Sequence, residues 1–449
     1  MVTQQATPSR APREVNYDES KVPPYTLPDP LVFADGRPVK TKDDWRTRRR
    51  EILDIFAHEM YGVEPPPPEA LLVELVEEGA TFAGLAIRRQ YRIRFRADGT
   101  GPYLDWLVII PNKVQGNAAR FDVDGKPICE NDDKVPVILF LNYRGNHTLL
   151  TDSEVIVPDN VWSRHTREPD PCQYKLDEKD RGEARASRAS TPFPIETILA
   201  RGYAVMSCCY AEVSPDVESA WHKEDNPELA WTGVFELWGK RDPGATDNTT
   251  ALGAWAWALS RGLDLAERIP EIDTTRAVAT GCSRLAKTAL LACARDERFA
   301  VCVPCQTGGG GAPLAKRFFG ESVGTEMRSF QHWFCPAYAR YADNEAEMPF
   351  DQHMLLATIA PRGLLVEGFN ARWFDTRGEF LACKAASPVW EFLGKPGLPE
   401  GDFPASYDIS RIGPALGYIR RGGQHGISGY DWLWLLDFAD GCFAASLTV

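Results

Sequence analysis

No stretch of this chain is apolar for the roughly 18 residues that a membrane-crossing helix needs, so no span is expected. The first 20 residues, "MVTQQATPSRAPREVNYDES", have no apolar core, so no secretory signal is expected there either. Basic residues are in the minority, 50 Lys and Arg against 63 Asp and Glu, for a net charge of −13. The one basic cluster is "RTRRR" at 46–50. Nucleic acid and anionic membrane surfaces are therefore not expected partners. The 11 cysteines are scattered and odd in number. Cys302 and Cys305 have no second CxxC or paired histidine, so the spacing of a zinc site is missing and no metal is expected. Most of these thiols read as small buried hydrophobes. No internal repeat is present.

What the sequence does contain is a core-sized stock of apolar residues, 44% of 449. Residues 1–30 are polar and proline-rich and read as an irregular arm. "KDDWRTRRREILDIFAHEMYG" (42–62) has helical spacing with Gly62 as its stop. "RRQYRIRFRADG" (88–99) alternates apolar and basic residues, as an antiparallel strand with one wet face would, and "YLDWLVIIP" (103–111) is its expected neighbour.

From residue 134 short apolar runs take over: 135–143, 202–210, 276–281, 299–305, 362–369 and 415–421. Runs of this kind suit strands buried on both faces. Helical patterns at 248–268 and 285–298 separate several of them, which predicts a mostly parallel sheet with crossover helices. The expected organisation is one α/β domain over 31–449, with polar surface insertions at 160–195 and 211–247.

"GCSRLAK" (281–287) joins the strand pattern 276–281 to the helix pattern that follows. A nucleophile elbow needs that placement, because a sharp strand-to-helix turn presents the serine oxygen at the end of the strand. The helix N-terminus there favours developing negative charge. Gly281 supplies the small residue two before Ser283, but Leu285 stands where a second glycine is usual. On the local pattern alone, a nucleophile and an N-capping serine remain level. In α/β-hydrolases an acid and then a histidine follow the serine along the chain. Downstream histidines are His332, His353 and His425. Only His425 lies in a glycine-rich loop after the last predicted strand, "RRGGQHGISGYDW", where the base belongs. His332 and His353 read as structural. "GGGG" (308–311) lacks the Lys-Ser/Thr of a phosphate loop and reads as tight backbone.

With these motifs in place, the sequence resembles the glucuronoyl esterases, the fifteenth carbohydrate-esterase family. Their elbow reads G-C-S-R-x-G-K, and "GCSRLAK" matches it with Ala286 in place of the glycine. The likeness continues through "LNYRGNHT" (141–148), "GAWAWALSRGLDL" (253–265), "TGGGGAPLAKRFFGE" (307–321), "DQHMLLATIAPR" (351–362), "WFDTRGEF" (373–380) and "HGISGYDWLWLLDFAD" (425–440). It implies a three-layer α/β/α hydrolase without a cofactor. The implied reaction is hydrolysis of the ester between 4-O-methyl-glucuronic acid on xylan and lignin alcohols. Ser283 would be the nucleophile, His425 the base and Arg284 the oxyanion partner. Lys287 and Glu321 would hydrogen-bond sugar hydroxyls and Trp373 would pack near the ring. Without the family, Lys287 and Glu321 read as solvated charges and Trp373 as a core or loop anchor. The family's members are exported, so the resemblance points to a secreted or periplasmic enzyme.

Two departures stand out. The fungal members' disulfide beside the serine has Cys282 here, but Gly426 follows His425. The triad acid is also displaced. Gln306 occupies the family's usual Glu position, Asn370 and Ala371 fall at the alternative one, and Glu367 would sit inside a strand. Asp375 is the expected acid, with a serine–histidine dyad aided by neutral Gln306 or Asn370 as the rival. An acetyl-xylan or other carbohydrate esterase, and a catalytically weakened carbohydrate-binding relative, are the competing functions.

Overall fold

The structure is a computed structural model, and it describes residues 14–112, 134–158, 193–216, 231–369, 373–405 and 409–446. Three antiparallel strands come first: β1 (Leu72–Thr81), β2 (Ala86–Arg94) and β3 (Tyr103–Pro111). β2 has no exposed position, and Arg88 and Gln90 are among its buried residues, so the wet basic face expected there is not found; Glu77 and Asp152 pair the buried Arg88. Then come β4 (Val135–Asn142), β5 (Ala204–Cys209), β6 (Ile272–Cys282), β7 (Val301–Cys305), β8 (Gly363–Phe369), β9 (Ile409–Ile412) and β10 (Leu416–Arg421). One ten-stranded sheet results, in the order β1-β2-β3-β5-β4-β6-β7-β8-β10-β9. From β5 to β10 every neighbouring pair is parallel.

Alternation along the central strands sends side chains to two separate cores. Val137, Leu139 and Leu141 of β4 join one apolar cluster, and Ile138 and Phe140 join the other. The first cluster is closed by α1 (Lys42–Phe56), α4 (Ala251–Ala266), α5 (Arg284–Arg295), α7 (Gln352–Ala357) and α8 (Thr376–Phe392). The second is closed by α2 (Ile195–Ala200) and α9 (Gly429–Ser446). Two further short helices, α3 (Tyr210–Val213) and α6 (Val323–Ser329), lie in the connections. The mostly parallel sheet is the one expected from the strand–helix alternation, and the α/β/α layering is the one the family resemblance implies.

α1 shows why the first helix starts where it does. Thr41 accepts from the Asp44 amide and the Asp44 carboxylate accepts from the Thr41 amide, a reciprocal cap. Its last turn loosens into a wider coil over Ala57–Tyr61 and ends at Gly62, where φ is +80°. The described part of the N-terminal arm is irregular and lies against the body through Asn16, Glu19 and Pro28.

The second of the two polar insertions departs from expectation at its start. Of 160–195, only the last three residues are described, and Ile195 is buried at the start of α2. Residues 211–216 are not surface chain at all: all six are buried, Glu212 and Asp216 among them. Residues 217–230 of that stretch lie outside the described residues.

Candidate active site

The C-terminal ends of four adjacent parallel strands carry the candidate residues. Register aligns Cys282 with Cys305, Cys305 with Glu367 and Glu367 with Ile419. Ser283 therefore leaves β6 beside the point where Gln306 leaves β7. Both residues have left-handed backbone angles, φ +58° and +59°, which non-glycine residues rarely adopt. The turn is held by bonds between strands. The Ser283 amide donates to Cys305 O at 3.0 Å, and the Gln306 amide donates to Glu367 O at 2.7 Å. Tyr143 Oη donates to Cys282 O at 2.6 Å from the end of β4. Gly281 is required by close approach, since a Cβ there would stand 2.3 Å from Leu285 O. That contact explains how Leu285 is tolerated: its backbone, not its side chain, abuts the glycine. Ser283 makes no side-chain cap bond to α5, so the geometry is that of an elbow rather than of a helix cap.

His425 lies in the loop after β10, its ring set between Phe369 and Phe374 at centroid distances of 5.8 and 5.4 Å. Partial burial, then Lys287, Arg284 and Arg421, lower its pKa, so the ring stays neutral to lower pH than an ordinary histidine. Its Nδ1 stands 2.8 Å from Gln306 Oε1. The amide's orientation follows from its surroundings. Gln306 Oε1 also accepts from the Gly426 amide at 2.9 Å, while Nε2 donates to Gly426 O at 3.1 Å and Glu367 Oε1 at 3.0 Å. A flipped amide would face donor with donor and acceptor with acceptor. The oxygen must therefore face His425, which makes Nδ1 the protonated nitrogen and leaves Nε2 with the basic lone pair.

Asp375 does not fill the role expected of it. It caps α8, accepting from the Gly378 amide at 2.8 Å, and accepts from Arg317 Nε at 2.7 Å. Both side chains of that ion pair are 3% exposed. The reason is local: Asp-Thr-Arg-Gly at a helix start is a cap sequence, and the cap turns the carboxylate to the helix and to Arg317 rather than to His425. Asn370 and Ala371 lie outside the described residues.

Three further candidates gather on α5 and the β7–α6 connection. Arg284 is ion-paired to Asp216, and its guanidinium stands 4.7 Å from the Trp333 ring centroid. Asp216 also meets His332 Nε2 at 2.8 Å and Trp333 Nε1 at 2.9 Å. Burial would raise the Asp216 pKa, but Arg284 with the His332 and Trp333 hydrogen bonds outweighs it and holds the carboxylate well below its ordinary range. Lys287 is 2% exposed, not solvated, and its Nζ stands 4.9 Å from the same Trp333 ring. Burial lowers its pKa against the opposing pull of Glu321 and Glu326. Glu321 accepts from the Gly309 amide at 2.9 Å, in a glycine-rich turn where a Cβ on Gly308 would stand 2.4 Å from Glu321 Oε2. Trp373 is 45% exposed, which makes it neither a core nor a buried loop anchor. His353 is structural, with Nε2 donating to Pro28 O at 2.8 Å.

Asp216 and Glu367 are the residues that sequence reasoning passes over or sets aside. Asp216 lies in a stretch whose composition reads as surface chain. Glu367 carries a usable signal, a carboxylate in the otherwise apolar run "GLLVEGF", which in a doubly buried strand requires a partner.

Comparison with known proteins agrees with this geometry. Residues 201–394 match the family model described as glucuronyl esterase, fungi. A carbohydrate esterase from an unknown prokaryotic organism is 35% identical over 440 residues, covering 96% of this chain and 92% of that one. The 4-O-methyl-glucuronoyl methylesterase of Schizophyllum commune is 26% identical over 385 residues, covering 82% and 74%. The solved glucuronoyl esterase from Solibacter usitatus superimposes with a TM-score of 0.78 at 34% identity, covering 95% of this chain and 100% of that one. The chain belongs to carbohydrate esterase family 15, the glucuronoyl esterases.

Proposed function

We propose that this enzyme hydrolyses the ester between 4-O-methyl-glucuronic acid of xylan and lignin alcohols. The observation that carries the reading is the pairing of a strained strand-end serine with two cations, Arg284 and Lys287, against one tryptophan ring. A uronoyl ester needs a nucleophile, a partner for the oxyanion that forms and polar contacts for its sugar hydroxyls, whereas a simple acetyl ester needs no buried lysine. Ser283 Oγ attacks the uronoyl carbonyl while His425 Nε2 takes its proton. Arg284, steadied by Asp216, stabilises the tetrahedral oxyanion. Collapse of that intermediate breaks the bond to the alcohol, whose oxygen receives the proton from His425. Water then attacks the acyl-serine, its proton passing to His425, and the free uronic acid leaves as Ser283 recovers its own. Lys287 and Glu321 hold sugar hydroxyls, and the open face of Trp373 packs near the ring. No cofactor enters these steps. The substrate is a cell-wall polymer, which matches an exported enzyme; among the described residues no helix is long and apolar enough to cross a membrane.

The test is turnover of benzyl glucuronate beside p-nitrophenyl acetate. The reading expects preference for the glucuronate and loss of on the order of 10⁴-fold or more in Ser283→Ala and in His425→Ala. Preference for the acetate would return the enzyme to the acetyl-esterase class. No turnover of either would make the chain a binding relative.

A further inference from the structure

Behind Gln306, on the side away from His425, lies a buried carboxylate for which the proposed mechanism has no use. Glu367 is 2% exposed and accepts from Gln306 Nε2 at 3.0 Å. The same amide accepts the His425 Nδ1 proton through its oxygen at 2.8 Å. Imidazole, amide and carboxylate thus form one hydrogen-bonded chain, with every donor pointing toward the carboxylate.

We propose that Glu367 is the displaced acid of this enzyme, a positioning residue that acts on His425 through the Gln306 amide. This rests on the reading of Ser283 and His425 given above. An ionised carboxylate on the amide nitrogen draws that N–H toward itself and enriches the carbonyl oxygen at the other end. The enriched oxygen holds the Nδ1 proton more firmly and stabilises the imidazolium that forms as Ser283 is deprotonated. A neutral glutamine alone orients the ring but supplies no such charge.

The surroundings leave Glu367's charge available. From β10, Arg421 is engaged by Asp431 of α9, Nε to Oδ1 at 2.9 Å. That leaves two buried carboxylates around one guanidinium. Cys305 offers a thiol from β7, Cys282 faces it from the end of β6, and Glu379 of α8 adds a further acid. Burial first and Asp431 second push the Glu367 pKa up to about 7, while the Gln306 hydrogen bond and Arg421 pull the other way. Because the ionised form is the active one, turnover rises with pH as it passes about 7. His425, depressed by burial and then by its neighbouring cations, adds its limb lower.

The experiment follows kcat, KM and the pH profile for benzyl glucuronate, with Ser283→Ala as the companion control. Glu367→Gln keeps an acceptor for Gln306 but removes the charge. The expected result is roughly a ten-fold loss of kcat with KM within two-fold, the size usual for a group acting through another ligand. The ionisation near pH 7 should vanish from the profile. Exchanging the two, Gln306→Glu/Glu367→Gln, moves the same charge one residue closer and should restore kcat to at least the unaltered level. In the unaltered enzyme, the hydrogen-bonded His425 Nδ1 proton should shift in ¹H NMR as pH crosses about 7, whether or not a variant folds. A Glu367→Gln enzyme with unchanged kcat and profile, an exchange variant no better than Glu367→Gln, or an Nδ1 proton indifferent to pH near 7 overturns the proposal. Activity surviving in Ser283→Ala would instead overturn the reading on which it rests.

Discussion

Asp375 and Glu367 are both buried acids at the C-terminal end of the sheet, one at the start of α8 and the other near the end of β8. Asp375 is directly paired: a guanidinium at 2.7 Å and a helix amide at 2.8 Å occupy its oxygens, although burial outweighs them and raises its pKa. Glu367 accepts from an uncharged amide and a thiol, and Arg421, the guanidinium that acts on it, is engaged by Asp431. A carboxylate whose charge is already answered can build a fold but has nothing left for a histidine. Burial makes both acids costly to keep ionised, and what separates them is that only Asp375 has a guanidinium on its own oxygens.

The contrast between the two acids breaks most visibly at the amide beside one of them. Gln306→Ala severs His425 from Glu367 and should lower kcat by on the order of 10²–10⁴-fold, the range spanned by triad acids, with little change in KM. Asp375 cannot step in, so a mild Gln306→Ala would mean that the acid is elsewhere.

The next effect is on stability across pH. A carboxylate raised to about 7 in the fold, against about 4.3 unfolded, stabilises fully below pH 4 and loses that contribution as pH climbs toward 7. The loss is on the order of 4 kcal/mol at about 1.4 kcal/mol per unit. Urea unfolding of Glu367→Gln at pH 5 and pH 8 should show this slope flattened; an unaltered slope would assign the burden to another group.

Asp375→Asn should do the reverse of Gln306→Ala. It leaves Arg317 buried with a poorer partner, costing about 1–3 kcal/mol of stability, while kcat stays within about three-fold. A hundred-fold fall in kcat without a stability change would reinstate Asp375 as the acid. Least of all, Glu19→Ala removes Arg317's second partner, whose side chain is 44% exposed. The expected cost is below about 1 kcal/mol, with kinetics untouched, and unfolding midpoints would register it.

Much of this fold and part of its site are legible in the amino-acid sequence. The buried strands announce themselves as unbroken apolar runs, and the run at 103–111 coincides with β3 to the residue. β1 escapes because Leu72, Leu75 and Val76 are exposed, blurring the alternation that marks a half-buried strand. Ser283 and His425 can be placed because an elbow and a post-strand loop have local signatures. The histidine's partner Gln306 is within reach only through the family resemblance, as the rival to Asp375, because the contact is set by register between β7, β8 and β10, a long-range property that no spacing records. Asp216 is hidden for the same reason: besides the nearby Tyr210, its partners Arg284, His332 and Trp333 lie 68, 116 and 117 residues further along the chain.

Trp333 is the common floor beneath Arg284 and Lys287, and its indole N–H holds the carboxylate that anchors the arginine. Turnover and recognition of the sugar acid therefore share a foundation. Smaller residues at this position would be felt in both kinetic constants together, and substitutions at the two cations would combine non-additively. A library seeking a new acyl group would do better to vary exposed Trp373 at the mouth and leave the shared floor intact.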